Sequence, residues 1–243
     1  MKPIAIARRF CGPPDSGNGG YTCGLLAQAL GGTSEVTLRM PIPIERVMHV
    51  QFVDEKHAHL KSGDDLIAEG ARFDLELGAT PVISFSDAVL ASEDSPAFAD
   101  HPFPTCFVCG PQRAQGDGLR IFPGAVQPGA VEGDAVAGLQ HVFAAPWVPG
   151  APLADKNGFV PDEIVWAALD CTTGFAGGFP YEGKLVTGRL GAKLISPVRA
   201  EERYVLLSWR LSVEGRKHHA AAVLLDEDGE VHAQARATWI KLH

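Results

Sequence analysis

Apolar and polar residues follow the same order of elements twice along the chain, with a helix first and strands after it. In the first copy, the apolar spacing predicts a helix over residues 21–30, opened by a glycine-rich turn at 17–20 and closed by Gly31. Four β-rich runs follow and predict an antiparallel meander with a tight turn at 62–65: residues 36–44, 46–54, 58–61 and 66–77.

The second copy begins at Pro161, which suits the first helical position because that position leaves its amide unpaired and proline has no amide hydrogen. Asp162 and Glu163 favour the positive end of the same helix, which is predicted to run to about residue 175. Its apolar residues predict one stripe that packs on a sheet: Ile164, Ala168, Cys171 and Phe175. Four strands are predicted after it: residues 185–195, 203–214, 217–225 and 231–242. Helices beside antiparallel strands make the fold class α+β.

Residues 96–118 are rich in proline, glycine and polar side chains, which is typical of a connection between two units. We therefore predict an N-terminal unit over residues 1–100 and a C-terminal unit over 101–243. Three short elements are predicted near this boundary: a helix over 87–93 that closes the first unit, and strands over 118–122 and 135–144 that open the second.

Composition and charge exclude several classes of protein. The chain has 243 residues, of which 46% are apolar and 21% charged, and this length and balance suit one or two folded domains. The net charge is −8 and no basic run occurs, so we expect no nucleic-acid partner. No run of about 18 apolar residues is present, so we expect no membrane span.

Five scattered cysteines, an odd number, fit reduced thiols better than a secreted disulfide framework. The first ten residues lack the pattern of a secretory signal, so a cytoplasmic location is expected. Cys106 and Cys109 form a Cys-x-x-Cys pair, which is half of a zinc site or a redox pair. No second pair follows at the spacing of a zinc knuckle, and His101 and Cys171 would complete the site only by chance. We therefore predict a structural turn and no metal.

Short motifs resemble those of the hotdog-fold acyl-CoA thioesterases, especially the phenylacetate-pathway type. In the second half, Cys-Phe-Val-Cys-Gly at 106–110 and Gly-Leu at 118–119 resemble the start of family members. Ile-Ser-Pro-Val at 195–198 and the Asp-Gly-Glu-Val-His-Ala-Gln-Ala run at 228–235 resemble their end. The first half is similar to the family through Gly-Asn-Gly-Gly at 17–20 and Met-Pro-Ile-Pro at 40–43.

The resemblance implies a double hotdog, that is, two copies of a long central helix, each wrapped by an antiparallel sheet. In the family, backbone N–H groups at a helix start polarise the thioester carbonyl, and a carboxylate on the helix of the paired unit attacks it or activates water. A helix start suits this task because its unpaired donors and positive potential stabilise a developing oxyanion.

Carrying the family positions over to each copy leaves one composite site. Asn18, Gly19 and Gly20 keep the donor turn of the first helix, but Ala27 stands nine positions later where the family has a carboxylate. In the second half, Asp170 keeps the carboxylate position, whereas Pro161 and two acidic residues replace the donor turn. The resemblance therefore implies that the Gly19 and Gly20 donors face Asp170.

Each candidate residue also has an ordinary structural explanation. Asp170 is the only formally charged residue between Glu163 and Glu182, so burial would be costly and would raise its basicity, yet helix aspartates also cap loops or face solvent. Thr187 stands near a family hydroxyl that orients water, but it also suits a strand by packing alone. Asn18 is equally a plain N-cap.

The resemblance implies an acyl-CoA thioester as substrate, no cofactor, and a homodimer of tandem chains. We expect the acyl pocket between the two helices, with Trp147, Trp166 and Phe175 as candidate lining residues. The alternative is a non-catalytic acyl-CoA-binding or sensing protein, because the loss of one carboxylate and one donor turn also fits a degenerate site. A purely structural partner protein is the third hypothesis.

Overall fold

The structure is a computed structural model that describes residues 3–78, 80–127, 129–133 and 138–242. Three α-helices lie in these ranges: α1 (Gly19–Leu30), α2 (Phe85–Glu93) and α3 (Asp162–Gly177). The strands of the first half are β1 (Ile4–Ala5), β2 (Ser34–Leu38), β3 (Val47–Phe52), β4 (His57–Ser62), β5 (Asp65–Arg72) and β6 (Val82–Ile83). The strands of the second half are β7 (Gly124–Ala125), β8 (Val131–Glu132), β9 (Gln140–Trp147), β10 (Leu185–Leu194), β11 (Tyr204–Glu214), β12 (Lys217–Asp226) and β13 (Val231–Lys241).

Eleven of these strands form one antiparallel sheet that runs through both halves of the chain. The first-half strands lie in the order β1-β3-β4-β5-β2, and the second-half strands continue as β10-β13-β12-β11-β9-β7. The halves join where β2 pairs with β10, from Ser34 opposite Ala192 to Thr37 opposite Arg189. The α+β class is therefore confirmed, with one sheet shared by both halves.

The strand order differs from the predicted meander. β3, β4 and β5 are consecutive neighbours, and the predicted tight turn between β4 and β5 is confirmed by the pairing of Ser62 with Asp65. The prediction is wrong for β2, which pairs with β5 instead of β3. In the second half β10 likewise pairs with β13. Alternation along a strand fixes which side chains share a face, but it does not name the neighbouring strand.

Strand bounds are predicted more accurately in the second half than in the first. β10, β11, β12 and β13 each begin and end within one residue of the prediction. In the first half, β2 stops at Leu38 instead of residue 44, because Pro41 and Pro43 have no amide hydrogen for the ladder. β5 ends at Arg72, short of the predicted residue 77.

The strand predicted over residues 118–122 is wrong. This segment forms backbone hydrogen bonds with the Cys-x-x-Cys turn, from Leu119 N–H to the Phe107 carbonyl and from Ile121 N–H to the Val108 carbonyl. The strand predicted over 135–144 corresponds to β9, which begins at Gln140; residues 135–137 lie outside the described residues.

Helices α1 and α3 cross in close contact. A methyl group on Gly20 would lie 2.7 Å from the Trp166 carbonyl oxygen, and one on Gly24 would lie 2.6 Å from the Glu163 Cα. Glycine at both positions lets the backbones approach. The predicted single buried stripe of α3 is wrong, because every residue from Ile164 to Gly177 is buried, with α1 on one side and the sheet on another. Pro161 is the N-cap of α3 and not its first helical residue.

The short helix α2 confirms the predicted helix over 87–93, but its place was predicted incorrectly. It packs against β7, β9 and β11 of the second half, with Ala88 and Ala91 buried in that contact. Gly124 of β7 lies directly against this helix, and an added methyl group there would collide with the Ala91 carbonyl. The boundary between residues 100 and 101 stays a prediction. Among the described helices, none has the length and apolar character needed to cross a membrane.

Candidate active site

Asp170 lies in the middle of α3 with 1% of its surface exposed, and two groups outside that helix hold its carboxylate. The Gly20 N–H, in the first turn of α1, donates to Oδ2 at 2.7 Å. The Thr187 hydroxyl, on β10, lies 2.9 Å from Oδ2 and 3.0 Å from Oδ1. The structure thus brings together Asp170, Gly20 and Thr187 from both halves of the chain. The alternative of a solvent-facing aspartate is wrong.

Small residues at the start of α1 make this contact possible. Asn18 caps the helix, and its Oδ1 accepts a hydrogen bond from the Tyr21 N–H at 2.9 Å. A methyl group on Gly19 would lie 2.6 Å from the Thr187 Oγ1, so a larger residue would push β10 away. The helix start also carries positive potential toward the carboxylate.

Burial raises the pKa of Asp170 to about 7. The hydrogen bonds from Thr187 and Gly20 favour the charged carboxylate and lower the pKa, but they only partly offset the loss of water around the group. A carboxyl group with a pKa near neutrality is a stronger base than an ordinary aspartate while still being ionised in a substantial fraction of molecules.

The two predicted donors, the Gly19 and Gly20 N–H groups, differ in whether they are already hydrogen-bonded. The Gly20 N–H is engaged by Asp170, so it is unavailable to a substrate carbonyl in this arrangement. The Gly19 N–H makes no hydrogen bond within the described part of the chain, and Gly19 lines the cavity beside Asp170. Of the two predicted donors, only the Gly19 N–H is therefore without a hydrogen-bond partner among the described residues.

A cavity of about 460 Å³ lies next to this constellation. Gly19, Asp170 and Thr187 form part of its wall. The remaining wall is mostly apolar and includes Leu38, Ile42, Phe103, Phe179, Leu185 and Trp239. A volume in this range suits a small organic ligand or the acyl part of a larger one.

The position and lining of the cavity differ from the prediction. Because α1 and α3 touch through Gly20 and Gly24, no space remains between them, and the cavity lies beside the start of α1. The aromatic residues that line it are Phe103, Phe179 and Trp239. The predicted residues Trp147, Trp166 and Phe175 do not line it and are buried in the core.

The sequence matches no protein-family model and no curated protein. The structure, in contrast, is similar to solved structures. A candidate thioesterase from Novosphingobium aromaticivorans matches 99% of this chain and 95% of its own, with a TM-score of 0.61 and 10% identity. The chain shares its fold with the hotdog thioesterases. At this identity the likeness extends to the fold and not to the substrate.

Two further hotdog matches cover only part of the chain. A thioesterase superfamily protein matches 51% of this chain and 57% of its own length, with a TM-score of 0.40 and 19% identity. The PaaI protein from the phenylacetic acid degradation operon of E. coli matches 43% of this chain and 75% of its own, with a TM-score of 0.40 and 8% identity.

The start of α3 lacks the features found at the start of α1. Its N-cap, Pro161, makes no side-chain capping hydrogen bond, and its first turn carries Asp162 and Glu163. Burial raises the pKa of both carboxyl groups, and the Glu163 Oε2 is buried without a hydrogen-bond partner among the described residues. At the start of α1, by contrast, the Gly20 N–H meets a carboxylate from the other half of the chain.

The same cavity wall brings together cysteines that the sequence analysis expected to meet only by chance. Cys171 follows Asp170 on α3, and its Sγ lies 3.8 Å from the Cys106 Sγ. The Asn18 Nδ2 lies 3.8 Å from the Cys106 Sγ and 3.7 Å from the Cys171 Sγ. Asn18 is thus both an N-cap and a neighbour of the thiols. A Cys-x-x-Cys motif signals such a cluster, but the third cysteine is too far away in sequence for spacing to reveal it.

Proposed function

We propose that the protein hydrolyses an acyl-CoA thioester at a composite site formed by both halves of the chain. One observation carries the proposal: Asp170 of the second half accepts a hydrogen bond from the Gly20 N–H of the first half, in the wall of a largely apolar cavity. The fold shared with a candidate thioesterase over the whole chain supports the reaction class.

The chemistry follows from the groups around the cavity. The Gly19 N–H and the positive start of α1 polarise the thioester carbonyl. Asp170 takes a proton from water, and the hydroxide forms a bond to the carbonyl carbon. The carbon–sulfur bond then breaks, and the departing CoA thiolate takes the proton from Asp170. Thr187 orients the carboxylate through its two short contacts.

We assign the proton transfer from water to Oδ1 of Asp170. Oδ2 accepts from both Gly20 and Thr187, whereas Oδ1 has Thr187 as its one donor within the described ranges. Direct attack of Oδ1 on the thioester is the alternative route, and it would form an anhydride with Asp170. Single turnover in ¹⁸O-labelled water tests the anhydride route, because label enters the Asp170 side chain only when water attacks the Asp170 carbonyl of that anhydride.

The apolar wall favours a hydrophobic acyl group, with the CoA nucleotide outside the cavity. The first experiment is incubation with short, medium, branched and aromatic acyl-CoAs, followed by chromatography of the intact thioester. Chromatography is preferred because five native cysteines would react with a thiol reagent. We expect one acyl class to be hydrolysed. No loss of any thioester would contradict the proposal.

One observation favours a second candidate, a non-catalytic acyl-CoA-binding or sensing protein. Both oxygens of Asp170 already accept hydrogen bonds, and the Gly20 N–H is occupied, which also describes a carboxylate that serves packing alone. Such a protein would show a higher melting temperature with an acyl-CoA that it leaves intact.

We further propose that residues 1–100 and 101–243 are two hotdog units, that the chain works in the cytoplasm, and that it forms a homodimer. Sedimentation equilibrium of the purified chain tests the last point, since a monomer at micromolar concentration would contradict it.

A further inference from the structure

Three cysteines from two distant parts of the chain share one buried spot in the cavity wall. The Sγ atoms of Cys106, Cys109 and Cys171 all lie within 4.8 Å of one another, and none is in a disulfide. Cys106 and Cys109 belong to the connection between the halves, whereas Cys171 belongs to α3. A zinc–sulfur bond of about 2.3 Å in a tetrahedral site separates neighbouring sulfurs by about 3.8 Å. The Cys106–Cys171 separation of 3.8 Å has this value.

The Cys-x-x-Cys turn has the local geometry of a metal knuckle. The Gly110 N–H closes the turn by donating to the Cys106 carbonyl at 3.0 Å. A methyl group on Gly110 would lie 2.5 Å from the Cys106 nitrogen, so only glycine fits the turn. A turn of this form points its two sulfurs at one spot.

His101 supports a thiolate in this cluster without acting as a ligand. Its Nδ1 accepts a hydrogen bond from the Phe103 N–H at 3.0 Å, so in the neutral ring the proton is on Nε2. Nε2 lies 3.2 Å from the Cys109 Sγ and donates to it. Because a protonated Nε2 has no lone pair for a metal, His101 is a second-sphere donor that orients and stabilises the sulfur.

We propose that Cys106, Cys109 and Cys171 bind one zinc ion, whose fourth coordination position faces the cavity. All three cysteines line that cavity, so water or a ligand atom can occupy the fourth position. Asp170 is not among the ligands, since Gly20 and Thr187 hold its carboxylate. The proposal revises the sequence-based prediction of a structural turn without metal, and it does not depend on the proposed hydrolase activity.

Zinc is the metal that this donor set favours. Thiolates are soft ligands that select zinc over magnesium or calcium, and zinc needs no change of oxidation state to bind. Three zinc–sulfur bonds form as the thiols release their protons to solvent, so binding requires reduced cysteines and weakens in acid. The ion would tie the connection between the halves to α3.

Metal analysis of the intact, reduced chain tests the proposal. The protein is expressed with zinc, dialysed under reductant into metal-free buffer, and analysed by mass spectrometry for metals. We expect one equivalent of zinc per chain for the wild type. We expect background levels for Cys106→Ala and Cys171→Ala, and one equivalent for Cys23→Ala, which removes a buried cysteine of α1 outside the cluster.

A spectroscopic measurement on the wild type covers the case in which the cluster variants do not fold. Cobalt(II) added to the metal-free, reduced chain should produce a thiolate-to-cobalt charge-transfer band that saturates at one equivalent and disappears on addition of zinc. The proposal is wrong if no such band forms, if the reduced wild type holds no zinc, or if both cluster variants keep their zinc.

Discussion

The start of α1 and the start of α3 are packed with similar closeness, yet they differ in chemistry. At the start of α1, a backbone N–H of Gly20 meets the carboxylate of Asp170 at 2.7 Å. At the start of α3, Glu163 meets Gly24 of α1, and the Glu163 Oε2 has no hydrogen-bond partner among the described residues. Close packing alone therefore does not make a site.

The difference shows what a buried carboxylate requires. Both Asp170 and Glu163 have a pKa raised by burial. The charged form of Asp170 is favoured by donors from two other elements, whereas that of Glu163 is favoured by its own backbone N–H. Asp170 lines the cavity and Glu163 does not. A base must be desolvated enough to be reactive and supported enough to ionise. Asp170 meets both conditions in the wall of the cavity, whereas Glu163 lies outside that wall.

The largest expected effect comes from Asp170→Asn. The amide keeps the shape of the side chain but cannot take a proton from water, and loss of a general base typically costs about 10²- to 10⁴-fold in rate. We expect kcat to fall by this amount for the best acyl-CoA, with binding retained. Turnover followed by chromatography and binding followed by thermal shift measure the two quantities.

Glu163→Gln is the matched control for this substitution, because it makes the same chemical change in the carboxylate at the other helix start. That carboxylate does not line the cavity. We expect turnover within about twofold of wild type, as for a site that acts independently. Equal losses in both variants would show that the rate reports stability and not the chemistry of Asp170.

The next effect separates packing from chemistry at the two helix starts. Alanine at a helical glycine is normally stabilising by up to about 1 kcal/mol. In Gly20→Ala and Gly24→Ala the added methyl group instead meets α3, and overpacking of this kind costs about 1–3 kcal/mol. We expect both variants to unfold at lower denaturant concentration. Only Gly20→Ala should also reduce turnover per folded molecule, because it displaces the N–H that holds Asp170.

Gly150→Ala is the control for these two substitutions. Gly150 has a φ of −70° that alanine adopts readily, and an added methyl group would meet only ordinary contacts. We expect its free energy of unfolding to change by no more than about 0.5 kcal/mol. A similar loss in all three variants would contradict the close helix crossing.

The second-half strands could be predicted from sequence because they are long apolar runs between charged turns. β11 and β13 each have 11 residues, so their periodicity is well determined. The pairing of β2 with β5 and β10 could not be predicted, since a strand's own pattern does not identify its neighbours. The same limit applies to α2, whose apolar face packs on the second half although it precedes the predicted boundary.

The structure brings the candidate residues together, but their hydrogen bonds could not be predicted from the sequence. Asn18, Gly19, Gly20, Asp170 and Thr187 all lie at the start of α1 or beside it, as the family positions imply. That the Gly20 N–H is occupied by Asp170 depends on the distance between two helices, which no local pattern contains. The joining of Cys171 to the Cys-x-x-Cys turn likewise depends on tertiary packing.

A smaller effect is expected when Asp170 keeps the Gly20 N–H as a donor but loses the Thr187 hydroxyl. Thr187→Val has nearly the same shape and removes the hydroxyl that, among the described residues, is the donor to Oδ1. A hydrogen bond to a charged group contributes about 1.5–3 kcal/mol, so we expect a loss of about tenfold or more in kcat. Thr187→Ser keeps the hydroxyl and should restore most of the rate. If serine and valine behave alike, Thr187 contributes only packing.

The smallest expected effect concerns the cap that distinguishes the start of α1 from that of α3. Asn18→Ala removes the acceptor of the Tyr21 N–H, and the loss of an N-cap costs about 1 kcal/mol. Asn18→Ser keeps an acceptor and should recover most of this loss, as measured by chemical denaturation. At α3, Pro161 makes no side-chain cap, so Pro161→Ala should not show the same loss. If Asn18→Ala left stability unchanged, the start of α1 would be held by its contact with Asp170 and not by its cap.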